Sequence, residues 1–241
     1  MSRHQEAVYQ WTTTVTTHLP HLSKPQATVL ALWSLGMVLA RSCSLTAVTS
    51  VLAALLGRKD AAVRQQLREF CWDAQDKAGT HRQAVAVEPC FPALLRWVLV
   101  GYAGPQVALA LDATSLRDRL VVLTSSVVVR GCAIPVAWTV LAAGSKHAWR
   151  PEWQRLLRLL WRVIPADWTV LVLADRGLYA RWLYRRIVRL GWHPFLRINL
   201  GGKFRPEGTL TFRPLASFTP VPGQSWRGGG TAFATKDCQL A

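Results

Sequence analysis

Asp112 and Asp175 are the two side chains whose setting in the sequence points most directly to chemistry. Each closes a run that is otherwise apolar, Val107 to Leu111 and Trp168 to Ala174, and a lone carboxylate carried into such surroundings is costly unless it is paired or bound to a metal. Two strands and a helix read between them, so the two runs can lie side by side in a sheet and bring both carboxylates to one edge. Strand ends of open α/β sheets are where ligands bind. Carboxylates held together suit hard, oxygen-seeking cations such as Mg²⁺. Two such ions, roughly 4 Å apart, activate a water or hydroxyl and stabilise the leaving oxygen in phosphodiester displacement. Singly, each Asp reads as a turn or capping residue; the pair carries the chemistry.

The basic residues fit a phosphate-bearing partner. The chain has 29 Lys and Arg against 13 Asp and Glu, for a formal charge of +16. Of the basic residues 23 are Arg, whose planar fork meets phosphate in bidentate fashion. A GC-rich coding bias would also raise Arg, Ala, Leu and Val, but it does not account for so few acids. Arg181, Arg185 and Arg189 recur at spacing four after Asp175, and Arg155, Arg158 and Arg162 form a second stripe upstream. Like charges so placed cost a few tenths of a kcal/mol per pair without a counterion. Arg176, beside Asp175, and Lys146 with His147, in a loop before a helix, are further candidates for contact with DNA. The alternative for both stripes is the solvated outer face of an amphipathic helix.

The elements that must hold these residues follow from periodicity. From Gln26 to about Gln75 apolar residues recur at three and four, with a helix from Ser44 or Thr46 to Leu56, ended by Gly57, and another over 60–76. After Gly101 to Pro105 the pattern turns to strands: 107–112, 120–130 and 132–141. A helix over 150–163, bounded by Pro151 and Pro165, sets Trp153, Leu156, Leu157, Leu160, Trp161 and Ile164 at helical spacing. A strand over 168–175, a helix to about Leu190 and a strand over 194–199 complete the string β-β-β-α-β-α-β. An α/β fold is expected, a mixed five-stranded sheet with flanking helices. A helical domain precedes it over 1–105, either DNA-binding or a helical cap on the core; the core spans 106–200, and a β-rich, incomplete segment covers 201–241.

The stretches ALALDATS at 108–115 and VLVLADRGLY at 170–179, with the strand order around them, resemble the DDE transposases of bacterial insertion sequences. The resemblance implies an RNase H-like fold, Mg²⁺-dependent hydrolysis at transposon ends (two ions in a complete site, Mn²⁺ as a substitute) and attack of the freed 3′ hydroxyl on target DNA. It carries over Asp112 and Asp175 as catalytic, metal-binding carboxylates. It further implies double-stranded DNA as partner, both transposon end and target, and a homodimer in the synaptic complex. The family pattern also asks for a Glu on a helix after the fifth strand. Glu207, in a Pro-Glu-Gly turn, and Asp237 do not match it, so the chain reads as a copy cut off inside the insertion. The alternative is an inactive DNA-binding remnant, acting as a repressor or as half of a split transposase.

Other classes are disfavoured. Five widely separated cysteines form no CxxC pair, which argues against a zinc finger or a disulfide scaffold. The uncharged apolar stretches 27–40 and 97–111 fall short of the roughly 20 residues that span a bilayer. The first 25 residues carry no apolar block of signal-peptide type. A cytoplasmic, nucleoid-associated protein without membrane contact is expected.

Overall fold

The computed structural model describes residues 3–79, 83–102, 104–144, 149–198 and 201–233. The chain divides into two compact units, Met1–Trp97 and Val98–Ala241.

The first unit is helical. It contains α1 (Arg3–His18), α2 (Lys24–Ala40), α3 (Leu45–Leu56) and α4 (Asp60–Phe70), and α5 (Cys90–Val100) begins in it. The Thr-rich start, where the sequence suggested no element, is the helix α1. Thr12, Thr13, Thr14, Thr16 and Thr17 each donate their hydroxyl to the carbonyl four residues back, at 2.8–3.0 Å. Those bonds satisfy the hydroxyls inside the helix instead of breaking it. Val15 and Leu19 bury with Ala27, Ala31 and Ala93. A second cluster, Leu32, Val48, Leu52, Ala53, Val63 and Leu67, ties α2, α3 and α4 together. Ser23 and Gln26 form a capping box at the start of α2, and Gly57 ends α3 at φ 62°. Where a helix over 60–76 was expected, α4 stops at Phe70. Asp73 adopts extended backbone and starts a separate 3₁₀ turn over Ala74–Asp76, as a short acidic side chain favours turns over helix interiors.

The second unit is a mixed α/β body built on five strands in the order β3-β2-β1-β4-β5. Its elements are β1 (Gln106–Leu116), β2 (Leu120–Val129), β3 (Cys132–Ala142), α6 (Trp149–Trp161), β4 (Thr169–Ala174), α7 (Arg181–Arg189) and β5 (His193–Leu196). The first three strands are an antiparallel meander, whereas β1 pairs β4 and β4 pairs β5 in parallel. Arg130 and Gly131, at φ 47° and 82°, make the two-residue turn between β2 and β3, whose twist matches a hairpin. One sheet face carries the buried apolar residues: Val107, Leu109 and Leu111 of β1, Val121, Leu123 and Val127 of β2, Val170, Val172 and Ala174 of β4. Trp153, Leu156, Leu157 and Leu160 of α6, with Leu183 and Ile187 of α7, are likewise buried. Burying one such side chain contributes about 1.5–3 kcal/mol, so the apolar stripe of α6 alone is a major stabiliser of this body.

Beyond β5 a small sheet in the order β7-β6-β8 forms from β6 (Lys203–Pro206), β7 (Arg213–Pro214) and β8 (Gly230–Ala232). A Cβ on Gly230 would stand 2.2 Å from the Arg205 carbonyl oxygen, so only glycine permits the two strands to meet there. Among the described residues no single helix is long and apolar enough to cross a membrane; α2 and α3 pass that test only as a pair, bent by 102°.

Candidate catalytic edge and arginine groove

The strand register decides where the two aspartates stand. In the parallel β1–β4 ladder Gln106 pairs with Thr169, and the pairing proceeds residue by residue to its last partners, Leu111 and Ala174. Asp112 is the next residue of β1, and Asp175, in extended backbone, is the first residue after β4, on chains about 4.8 Å apart at the last pair. Alternation puts both on the face opposite the buried Leu109, Leu111, Val172 and Ala174. Both carboxylates are exposed, in contrast to the burial expected from the apolar runs before them, because each is the first residue past the end of the β1–β4 pairing. Nor does Asp112 end its strand. β1 runs on to Leu116, held by β2 alone, with Asp112 opposite Thr124.

Each carboxylate is oriented by a neighbour two residues on. Thr114 donates its hydroxyl to Oδ2 of Asp112. The Gly177 amide donates to Oδ1 of Asp175 at 2.8 Å, making Asp175 the cap of the 3₁₀ turn Arg176–Leu178. A Cβ on Gly177 would lie 3.1 Å from that oxygen, so the glycine leaves the carboxylate its place. Thr114 escaped the sequence reading and Gly177 figured in it only as part of the Asp-Arg-Gly run, although Asp-x-Thr and Asp-x-Gly are the spacings at which a carboxylate meets a hydroxyl or amide locally. Arg176 is exposed beside Asp175. Among the described residues no group of three or more His, Cys, Asp or Glu comes together as a metal-ligand cluster. The pair remains a fit for Mg²⁺, which binds through one or two carboxylates and fills its other positions with waters and substrate phosphates. Glu207 lies in the turn after β6; Asp237, Lys146 and His147 lie outside the described residues.

The two arginine stripes have different surroundings. Arg181, Arg185 and Arg189 line an open groove between α6 and α7, joined by Arg150 of α6 and by Arg186. These last two were missed, because helical spacing was followed only along the 181, 185, 189 line and Arg150 belongs to another helix. On the other stripe Arg155 is engaged by Glu152, Nη2 to Oε2 at 2.7 Å, one turn back on the same helix, while Arg158 and Arg162 are exposed.

No known family profile matches the chain, and no curated protein does. Among solved structures it is similar to the Mos1 strand transfer complex, at 16% identity, and to the Mos1 transposase paired-end complex with left transposon end, at 14%; both alignments have a TM-score of 0.26 and cover 67% of this chain. The chain spans 56% of the length of each of those chains.

Proposed function

We propose that the second unit is an RNase H-like body of transposase type that acts on DNA phosphodiesters at the edge marked by Asp112 and Asp175. The observation that carries this reading is the β1–β4 register, which makes neighbours of two carboxylates far apart in the chain. The mixed five-stranded sheet, a meander feeding two parallel crossovers, supports the same reading. Asp112 and Asp175 are the residues that would hold a divalent cation, Mg²⁺ or Mn²⁺. When bound, such an ion supplies a more acidic coordinated water and neutralises charge on the phosphodiester oxygens. The chain's own residues do the rest. Thr114 and the Gly177 amide each hold one of the carboxylates by a hydrogen bond, and Arg176 offers its fork to a phosphate that approaches them.

A second reading is favoured by one observation, that no third carboxylate joins the pair among the described residues. In that reading the protein grips DNA without cutting it, as a repressor or as one part of a split enzyme. Nicking of supercoiled plasmid in Mg²⁺, with an EDTA control, separates the two. Nicking that is abolished by Asp112→Asn supports the first. Retention of the plasmid on gels without nicking supports the second, and failure to bind DNA at all sinks both.

A further inference from the structure

The groove between α6 and α7 encloses about 350 Å³, and five arginines line it: Arg150 from α6, and Arg181, Arg185, Arg186 and Arg189 from α7. Its other lining residues, Gln154 and Trp182, carry no charge, and no acidic side chain is among them. Five guanidinium groups converging on one concavity repel one another, and helical neighbours at spacing four do so at a cost. A bound anion would offset that repulsion. The groove is also built to hold its charges in place. The Arg150 guanidinium lies over the Trp182 ring, 5.8 Å from its centroid, a cation–π contact that ties the α6 arginine to α7. Nε of the half-buried Arg186 is buried with no hydrogen-bond partner among the described residues, a donor that calls for an acceptor.

The shape says which kind of anion. Arg181 and Arg189 are separated by about 12 Å along the helix axis, whereas a nucleic-acid strand carries a charge about every 3.4 Å of duplex axis. The row therefore matches a run of about four phosphates and exceeds the reach of one. A cavity of this volume is at the low end for a small-molecule pocket, too small for a duplex and open enough for a single backbone. We infer that this groove binds one polynucleotide strand through consecutive phosphates, with guanidinium groups presented from both helices. Neither Asp112 nor Asp175 lines it, so it is a second contact with nucleic acid, apart from the carboxylate edge and independent of the reading given to that edge.

The test uses the full chain in EDTA, so that no metal enters the result. Binding of a fluorescein-labelled single-stranded 12-mer is followed by anisotropy across a salt series. For single strands the log–log salt slope falls by about 0.7 for each phosphate contact removed. Arg181→Gln with Arg185→Gln is expected to flatten the slope by about 1.4 and Arg150→Gln, on the facing helix, by about 0.7. Arg41→Gln with Arg130→Gln removes the same charge as the first double variant from exposed positions outside the groove and is expected to leave the slope unchanged. Equal flattening by the two double variants, or none by Arg150→Gln, overturns the groove. So does displacement of the 12-mer by inorganic tripolyphosphate at matched ionic strength with equal or greater affinity, which would assign the site to a compact anion. Asp112→Asn is expected to leave this slope as it is, so failure here and failure of plasmid nicking are separate results.

Discussion

Leu111 and Ala174 are the last partners of the parallel β1–β4 ladder, and on both strands the next residue is an aspartate. A parallel ladder keeps partner side chains on the same sheet face at every step, so pairing at Leu111 and Ala174 is enough to make Asp112 and Asp175 neighbours. Had the register slipped by one residue, the two carboxylates would face opposite sides of the sheet.

Single substitution of either carboxylate is therefore expected to remove the same function. Asp112→Asn and Asp175→Asn should each lower Mg²⁺-dependent plasmid nicking by on the order of 100-fold or more. The double variant should be little worse than either single one, because groups that act as a unit are not additive. Mn²⁺ titration by calorimetry checks the same point without turnover. Undiminished Mn²⁺ affinity in both single variants would rule out a shared ion.

The residues that orient the carboxylates are expected to affect rate without affecting folding. Thr114→Val removes the hydroxyl bonded to Asp112, and Gly177→Ala brings a methyl to about the 3.1 Å contact with Asp175 Oδ1. Each should reduce nicking by roughly tenfold, the order of a supporting hydrogen bond around a ligand. Thermal unfolding should shift little for Thr114→Val, since Thr114 is exposed. If Thr114→Ser fails to restore the rate lost in Thr114→Val, the hydroxyl is not what positions Asp112.

Ser125 offers a test of the fold alone. It is 0% exposed on β2, and its hydroxyl has no hydrogen-bond partner among the described residues. An unsatisfied buried hydroxyl costs roughly 1–3 kcal/mol. Ser125→Ala is expected to raise stability by about 1 kcal/mol in urea unfolding, with the m-value unchanged. A loss of stability would show that the hydroxyl is bonded after all.

Cysteine reactivity should separate by burial and pH. Cys43 and Cys132 are exposed, whereas Cys90 is buried with Sγ 3.1 Å from Nε2 of His21. Burial pushes the Cys90 thiol above its ordinary range. The thiolate is the reactive form, so at pH 8 Cys90 should alkylate far more slowly than Cys43. Its rate should go on climbing as pH rises past the usual thiol range. Mass spectrometry of iodoacetamide-treated protein reads both rates, and equal rates at pH 8 would place Cys90 at the surface.

Periodicity alone made much of this architecture legible. The meander, the apolar stripe of α6, the strand that ends before Asp175 and the string β-β-β-α-β-α-β are local patterns of period two or 3.6, and such patterns survive in the linear chain. The Thr-rich helix α1 was not legible, because Thr is a weak helix former whose hydroxyls become compatible with helix only once each is bonded one turn back. The end of α4 at Phe70 was also hidden, since an apolar pattern runs past it and the competing turn at Asp73 depends on backbone geometry.

Residue type and order settled which groups are available here: two aspartates after apolar strands, a surplus of arginine, and the elements that carry them. Their company was settled by folding. Pairing across β1 and β4 involves residues dozens of positions apart, and its register selects the face on which Asp112 and Asp175 meet. The groove needs α6 and α7 side by side before Arg150 can join Arg181 and Arg185, and nothing in the spacing along either helix encodes that approach. Local propensities are written in short windows of chain, whereas a binding site is a coincidence of distant windows that only packing brings about.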